Sequence, residues 1–326
     1  MAPRNPVFVV GGARSGTTFL AKLFDSHPDV LYRHEPDSVL VNLNIPFLPR
    51  HDELNALLPE ASSYLDSLCN VRATKASGRR PFFDKSYRSA LQQKCFLSGL
   101  YLAQAAERAG RFLGYRHVEA PDCINPQARD HITYLIKSVD TPWRTMLYSL
   151  ARPNWRFVHI VRHPCAVINS RLRGIESNLM TADTYLRSPF EAGMAEEYPF
   201  TLEDLEARSY EERIAFHWMI CNQRVNDDMS GREGYRLVVY EDLCQDLAAT
   251  TRQLFDFAGL SFDEQTQEFL EQLETMEPRD TRYFDILRPP QASLYKWREQ
   301  LSDQQVENIK QIVSHSAIGR HFFEND

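Results

Sequence analysis

The chain has 326 residues, of which 43% are hydrophobic and 25% are charged, as in ordinary globular proteins. A formal net charge of −7 argues against a nucleic-acid-binding protein, because such proteins carry a basic surface. The six cysteines are scattered without a C-x-x-C pair, which argues against a zinc site and indicates reduced thiols in a cytosolic protein.

The N-terminal segment, residues 1–6, is short and polar, and a predicted strand follows it at once. No apolar run approaches the roughly 18 residues that a bilayer-spanning helix needs. We therefore expect no signal peptide and no transmembrane segment, and we expect the protein in the cytoplasm.

Short apolar runs alternate with helical patterns along the chain, which predicts an α/β fold with a parallel sheet flanked by helices. The predicted strands are 6–11, 29–32, 132–137, 156–162 and 235–240. The predicted helices are 16–26, 88–109, 142–151, 164–173, 209–229, 246–258, 264–274 and 303–315. We expect a single domain over residues 1–326, with a helical insertion at about 40–130 and an irregular, acidic, lid-like insertion with one short helix at about 174–208.

Two segments concentrate charge of one sign. Residues 174–213 hold ten carboxylates against three arginines, and residues 72–88 hold six basic residues against one aspartate. We interpret both segments as solvated faces.

The first predicted strand ends in glycine, and a polar turn leads into a helix with apolar residues at 19, 20, 23 and 24. A strand, a loop and a helix N-terminus in this order form an arrangement that binds anions. The spacing nearly matches the P-loop pattern G-x-x-x-x-G-K-[ST], with Gly11, Gly16 and Thr18 in place. Thr17 replaces the lysine that reaches the β- and γ-phosphates, so we predict a loop for a smaller anion, such as a 5′-phosphate that carries one further group.

The sequence R-S-G-T-T at residues 14–18 resembles the 5′-phosphosulfate loop of the sulfotransferases. Enzymes of that family transfer a sulfuryl group from 3′-phosphoadenosine 5′-phosphosulfate (PAPS) to a hydroxyl or an amine. The resemblance implies a P-loop-like sheet. It also implies that the cofactor-binding loop consists of Arg14, Ser15, Gly16, Thr17 and Thr18.

The end of the second predicted strand contains the candidate general base, Glu35. In tyrosylprotein sulfotransferases a glutamate at this spacing, 21 residues after the loop arginine, follows a similar H-P-D-V segment, and carbohydrate sulfotransferases also show E-P near here. The resemblance therefore implies that Glu35 accepts the proton of the acceptor hydroxyl. His34 is the alternative base, because cytosolic small-molecule sulfotransferases use a histidine. Pairing with Arg33 or capping of a helix is the structural alternative for Glu35.

The third predicted strand ends in Lys137, 25 residues before Arg162. This spacing matches a lysine that the family places between its two cofactor motifs. The resemblance implies that Lys137 stabilises charge on the transferred group. A solvent-facing lysine is the alternative.

The fourth predicted strand ends in Arg162, Pro164 suits the first turn of the next helix, and Ser170 lies eight residues past Arg162. An arginine at the carboxyl end of a strand can pair with a phosphate through two hydrogen bonds. The pattern resembles the sulfotransferase 3′-phosphate motif R-x-P-x-x-x-x-x-S, which implies that Arg162 and Ser170 bind that phosphate. A strand-end salt bridge is the alternative for Arg162.

Two later segments agree with the same family. The strand at 235–240 leads into Y-E-D-L, which implies that Tyr240 approaches the nucleotide; packing on the sheet is the alternative. The pair at 296–297 resembles a K-W pair that closes over the nucleotide, with Lys296 as a phosphate ligand and Trp297 as a packing residue. Thr281, 15 residues before Lys296, matches a family hydroxyl position.

Together the motifs predict a sulfotransferase that moves a sulfuryl group from PAPS to an acceptor hydroxyl by in-line transfer, with a carboxylate as general base. We expect no metal requirement, because lysine, arginine and a helix N-terminus can neutralise the charge. The acidic 174–213 segment favours a sugar, lipid or small-metabolite hydroxyl as acceptor. A tyrosylprotein sulfotransferase is the alternative, because the basic 72–88 run suits acidic peptides.

Other classes are less compatible with the sequence. A P-loop kinase needs the lysine that the loop lacks, and a non-catalytic nucleotide-binding protein has no need for Glu35 and Lys137 beside the cofactor motifs. The chain lacks the Y-P-K-S-G-T-T and R-K-G-x-x-G-D-W segments of the cytosolic enzymes, so it resembles the membrane-anchored and bacterial branches more. A cytoplasmic enzyme and a chain without its membrane anchor both fit, and we leave a homodimer open.

Overall fold

The computed structural model describes residues 5–110, 118–181, 185–276, 291 and 294–324. Its strands are β1 (Val7–Val10), β2 (Val30–His34), β3 (Thr133–Ser138), β4 (Arg156–Val161) and β5 (Tyr235–Val239). They form a five-stranded parallel sheet in the spatial order β2-β3-β1-β4-β5. The α/β fold predicted from the sequence is confirmed, and each predicted strand ends within two residues of the observed one.

Helices cover both faces of this sheet. The helices of the described residues are α1 (Thr17–Asp25), α2 (Leu54–Cys69), α3 (Thr74–Ser77), α4 (Ala90–Gly110), α5 (Thr145–Ala151), α6 (Pro164–Glu176), α7 (Arg187–Glu191), α8 (Leu202–Glu206), α9 (Tyr210–Met229), α10 (Tyr240–Gln245), α11 (Leu247–Ala258), α12 (Glu264–Thr275), α13 (Trp297–Gln300), α14 (Asp303–Val313) and α15 (Ala317–Glu324). Short 3₁₀ turns cover Pro36–Ser38, Pro126–His131 and Pro142–Arg144. None of the helices in these described ranges is at once long enough and apolar enough to cross a bilayer.

The central strand β1 shows why its sequence is apolar throughout. Val7 and Val9 pack into a cluster with α1, α11 and α12, whereas Phe8 and Val10 pack into a second cluster with α2 and α5. Successive side chains of a strand point to opposite faces, so a strand covered on both faces reads as a continuous apolar run. The loop after β1 is therefore held by a rigid, fully buried strand.

The two predicted insertions differ from the expectation in detail. The 40–130 region contains α2, α3 and α4, as the helical prediction requires. The described residues of the 174–208 region contain two short helices, α7 and α8, where the sequence predicted one. A capping box, in which Thr201 and Asp204 satisfy each other's backbone N–H groups, starts α8 and gives this acidic stretch local order.

The interpretation of the basic 72–88 run as a solvated face is wrong for Lys85. Its side chain is buried, and its ammonium donates to Asp25 Oδ1 at 3.0 Å. Lys22 of α1 donates to the other oxygen of Asp25 at 2.6 Å and to the carbonyl oxygens of Arg79 and Pro81 at 2.6 and 2.9 Å. Two buried ammonium groups thus share one carboxylate and tie this segment to α1.

Candidate active site

The loop between β1 and α1 turns through left-handed backbone. Arg14 has φ +73° and Gly16 has φ +93°, and the Ser15 N–H donates to the Gly12 carbonyl at 3.2 Å. A Cβ on Gly16 would lie 2.3 Å from the Tyr240 ring, so glycine is required here by backbone and by space. The loop is thereby pressed against Tyr240, the first residue of α10.

The same loop presents unsatisfied polar groups at the start of α1. Gly16 caps α1 without a side-chain bond, so the backbone N–H groups of the first turn have no partner within the helix. Ser15 is fully buried, and its Oγ has no hydrogen-bond partner among the described residues. Orphan donors and the positive end of a helix dipole suit a bound anion, as the sequence predicted.

The second motif meets this loop from the neighbouring strand. Arg14 Nε donates to Ser170 Oγ of α6 at 2.9 Å, across 156 residues of sequence. The Arg162 guanidinium lies 4.6 Å from the centre of the Tyr240 ring. The structure therefore brings Arg14, Gly16, Arg162, Ser170 and Tyr240 together.

A turn between β4 and α6 positions Arg162. The His163 Nδ1 accepts the Cys165 N–H at 3.2 Å and caps α6, which Pro164 begins. The His163 N–H donates to Glu241 Oε1 at 3.1 Å. The His163 ring stacks on Trp297 with 4.5 Å between ring centres, so Trp297 packs beside the cofactor motif.

The candidate base lies at the end of β2. Glu35 has φ +46°, and its N–H donates to the Lys137 carbonyl of β3 at 2.8 Å. Its carboxylate Oε1 accepts from Lys137 Nζ at 2.5 Å, and Oε2 lies 3.1 Å from Lys75 Nζ. One carboxylate thus holds two ammonium groups, and Lys137 is buried rather than solvent-facing.

These charges set the protonation state of the pair. Burial raises the pKa of the Glu35 carboxyl, but the Lys137 ammonium and its other charged neighbours outweigh burial and hold that pKa at about 2. Burial lowers the pKa of Lys137, and the Glu35 carboxylate opposes that shift. Glu35 is therefore ionised at neutral pH, as a proton acceptor must be.

His34, the alternative base, is buried beside Glu35. Its Nδ1 lies 2.7 Å from the Tyr32 hydroxyl, and its Nε2 lies 3.8 Å from Glu35 Oε1. Burial lowers the pKa of the His34 imidazole to about 2, and Lys137 acts in the same direction. The imidazole is therefore neutral at working pH.

The register of the sheet relates the two groups of residues. Lys137 pairs with Val9 of β1, two residues before the loop starts at Gly11. Because the carboxyl ends of parallel strands meet at one edge of a sheet, Glu35, Lys137, the loop and Arg162 all follow the same edge. Thr17 and Thr18 open α1 at this edge.

Lys296 directly precedes Trp297, whose ring stacks on His163, and no contact of Lys296 with the other predicted site residues is observed among the described residues. Its side chain is exposed and makes no hydrogen bond or ion pair with any residue that the structure describes. Thr281 lies outside the described residues.

Sequence reasoning missed two residues of the site. Glu241 anchors the turn after Arg162, and its place in Y-E-D-L beside Tyr240 was the available signal. Lys75 pairs with Glu35, and the only signal was its membership of the basic 72–88 run.

The fold and the site together define a class of protein. It is an α/β protein with an anion-binding loop after its central parallel strand, and an arginine and a serine lie beside that loop. The Sulfotransferase family model matches residues 6–264, which is most of the chain. The chain belongs to the sulfotransferase family, and it is a sulfotransferase enzyme.

Individual relatives are distant. Carbohydrate sulfotransferase 1 of Danio rerio is 24% identical, with 95% of this chain and 76% of the relative covered. Carbohydrate sulfotransferase 6 of Homo sapiens is 26% identical, with 81% of this chain and 66% of the relative covered. This chain thus spans about two thirds to three quarters of the length of these relatives.

Solved structures of sulfotransferases are similar to this chain along most of its length. The sulfotransferase domain of the Synechococcus PCC 7002 olefin synthase is 17% identical to this chain, with a TM-score of 0.45. The alignment covers 95% of this chain and 94% of that domain. Mouse sulfotransferase SULT7A1 complexed with PAP is 10% identical to this chain, with a TM-score of 0.44. The alignment covers 98% of this chain and 88% of the mouse chain.

Proposed function

We propose that this sulfotransferase takes its sulfuryl group from PAPS and transfers it to a hydroxyl of a carbohydrate. The observation that carries the donor assignment is the contact between Arg14 and Ser170 at 2.9 Å, which joins the two anion-binding motifs. The relatives named above are carbohydrate sulfotransferases, which favours a sugar over a lipid or another small metabolite. Cytoplasmic location and a homodimer stay predictions.

The residues present fit such a donor. The buried Ser15 hydroxyl and the first-turn N–H groups of α1 offer donors to a 5′-phosphosulfate. Arg162 and Ser170 offer charge-assisted and neutral hydrogen bonds to a 3′-phosphate. When bound, PAPS supplies the sulfuryl group, whose sulfur bonds to the acceptor oxygen as its bond to the 5′-phosphate oxygen breaks.

Glu35 and Lys137 have separate roles in the transfer itself. Glu35 accepts the proton that the acceptor hydroxyl loses, because it is ionised and its position is fixed by two lysines. Lys137 supplies positive charge where negative charge develops on the transferred group. A transferred group that drew the Lys137 ammonium away from Glu35 would raise the pKa of the Glu35 carboxyl and so its basicity.

The donor assignment is tested by binding of adenosine 3′,5′-bisphosphate (PAP), the product of PAPS. We expect PAP to raise the melting temperature, and ATP with magnesium not to do so. Arg162→Ala leaves a phosphate unpaired and should weaken PAP binding by about 2–4 kcal/mol in calorimetry. The same substitution should weaken the binding of adenosine 5′-monophosphate far less, because that nucleotide lacks the 3′-phosphate.

The matched control is Arg320→Ala, which removes an exposed arginine in α15 that donates to the Ser314 carbonyl. It should leave PAP affinity unchanged. Unchanged PAP affinity in Arg162→Ala, or equal stabilisation by ATP with magnesium, would contradict the assignment.

A further inference from the structure

A cleft open to solvent lies beside the base, apart from the residues proposed to bind the donor. Its cavity volume is about 380 Å³, towards the lower end of the roughly 300–1,000 Å³ of small-molecule sites. Side chains of β2, α3 and α4 and of the turn after α3 line it, among them His34, Lys75, Arg79, Gln104 and Arg108.

Lys75 connects this cleft to the base. Its ammonium lies 3.1 Å from Glu35 Oε2 and donates to Ser38 Oγ at 2.7 Å, while the same side chain lines the cleft. His34 also lines the cleft, with its Nε2 3.8 Å from Glu35 Oε1. One side chain, that of Lys75 or of His34, therefore separates the cleft from the carboxylate that accepts the proton.

The short helix α3, which carries Lys75, is fixed on two sides. Arg33 of β2 donates to Ser77 Oγ at 3.2 Å, and the Thr74 hydroxyl donates to Glu107 of α4. A Cβ on Gly78 would lie 2.5 Å from the Thr74 carbonyl oxygen and 2.7 Å from Gln104 Nε2, so glycine is required where α3 ends beside α4. The walls of the cleft are thus formed before a ligand binds.

The cleft carries an excess of positive charge. Lys75, Arg79 and Arg108 line it against one acid, Glu107, which already accepts the Thr74 hydrogen bond. Arg108 is exposed and makes no hydrogen bond or ion pair with any residue that the structure describes. Apart from the His34 imidazole, no aromatic or aliphatic side chain is part of the lining in the described ranges. Such a surface attracts an anionic, hydroxyl-rich ligand and offers little to the ring of a tyrosine peptide.

We propose that this cleft binds the acceptor and that the acceptor is a saccharide with an anionic group, a carboxylate or a sulfate, near the reacting hydroxyl. The proposal rests on the proposed function, because it takes Glu35 as the base. Arg108 recognises the anionic group, Gln104 hydrogen-bonds to sugar hydroxyls, and Lys75 holds Glu35 at the inner end of the cleft.

The test is calorimetric binding of a hyaluronan tetrasaccharide to the PAP-loaded protein. The comparison ligand is the same tetrasaccharide with its carboxyl groups methyl-esterified, which keeps the size and removes the charge. We expect esterification to weaken binding at least about tenfold, the effect of losing one charged contact. Arg108→Glu should weaken binding of the charged form by a similar factor and should not weaken binding of the ester.

The matched control is Lys94→Glu, which makes the same charge change on an exposed residue of α4 about 21 Å along the helix. It should change tetrasaccharide affinity less than twofold. Equal binding of the two tetrasaccharides, binding of neither, or an equal loss in Lys94→Glu would overturn the proposal. Tighter binding of an acidic tyrosine-containing peptide than of the tetrasaccharide would overturn the choice of a saccharide.

PAP affinity, measured alone on each variant, separates this proposal from the proposed function. Absent PAP binding in the unmodified protein defeats the proposed function. Normal PAP binding together with charge-independent tetrasaccharide binding defeats the acceptor assignment alone.

Discussion

At Glu35, one carboxylate is shared by Lys137 at 2.5 Å and Lys75 at 3.1 Å. The two lysines hold the carboxylate in one position, while its left-handed backbone ends β2. A base with a pKa near 2 is a weak one, so the pairing fixes position and charge rather than basicity. Its catalytic strength then depends on how much of the Lys137 contact persists when the donor is bound.

Glu35→Gln keeps the shape of the side chain and removes the proton acceptor. We expect turnover to fall about 10²–10⁴-fold with PAP affinity nearly unchanged, because only the transition state needs the base. Transfer of radiolabelled sulfate from PAPS to a saccharide extract measures turnover. Glu264→Gln, in the first turn of α12, is the control and should be fully active.

An active Glu35→Gln enzyme beside an inactive His34→Ala enzyme would assign the base to His34 instead. The structure leaves His34 one ring nitrogen for that role, because its Nδ1 is engaged with the Tyr32 hydroxyl and only Nε2 faces Glu35, at 3.8 Å from Oε1.

Individual site residues could be predicted from the sequence where a chemically suitable side chain stands at the spacing that the motifs require. Glu35 and Lys137 end apolar strands, and the structure pairs them although 102 residues separate them. Lys75 was not predictable, because a lysine within a basic run reads as solvated until its partner is known. Lys85 was missed for the same reason, since Asp25 lies 60 residues away.

At the scale of elements, the turn from β1 into α1 depends on contact with the start of α10. Gly16 takes a left-handed φ of +93°, and the Tyr240 ring covers the space where a side chain would stand. The ring lies in turn beneath the Arg162 guanidinium at 4.6 Å. The loop, the aromatic ring and the arginine therefore form one packed stack.

Gly16→Ala should damage both stability and donor binding. The left-handed backbone costs an alanine about 1–2 kcal/mol, and overlap with Tyr240 adds about 1–3 kcal/mol. Gly259→Ala is the matched control, because Gly259 has φ +70° but a methyl group added there would meet nothing within 4 Å, so only the backbone cost applies. Urea unfolding measures stability, and calorimetry measures PAP affinity.

Equal losses of stability in the two glycine variants, or intact PAP affinity in Gly16→Ala, would show that Tyr240 does not press on the loop. The Gly259→Ala protein, whose change lies at the end of α11, should bind PAP as the unmodified protein does.

Element boundaries were predictable wherever apolar periodicity was strong. The long amphipathic helix α9 begins within one residue of its predicted start, at a capping box of Ser209 and Glu212. The short helices α3, α7 and α8 were not predicted individually, because four or five residues span little more than one 3.6-residue turn and the apolar pattern does not repeat within them. Their positions depend on tertiary contacts such as that of Arg33 with Ser77.

At the scale of the whole molecule, positive charge gathers along the carboxyl edge of the sheet. Arg14, Lys137, Arg162 and the N-terminus of α1 come from separate elements and follow this one edge. A sulfuryl group carries less charge than a γ-phosphoryl group, so these cations can meet it directly.

We therefore expect full sulfuryl transfer in EDTA. The measurement is the same transfer of radiolabelled sulfate, with and without excess chelator, and with magnesium added back. Loss of activity in EDTA that magnesium alone restores would contradict this expectation and favour kinase-like chemistry.

The strand order β2-β3-β1-β4-β5 also arranges the reaction in space. Across the sheet, it places Glu35, then Lys137, the loop, Arg162 and Tyr240 at the ends of successive strands. Four inter-strand spacings amount to roughly 19 Å between the backbone at Glu35 and the backbone at Tyr240. Because β2 is an edge strand of this sheet, no further strand in the described part of the chain pairs with it, and α3 lies beside it instead. The acceptor proposed above would therefore be bounded at this end by side chains of α3 and α4 and not by a strand.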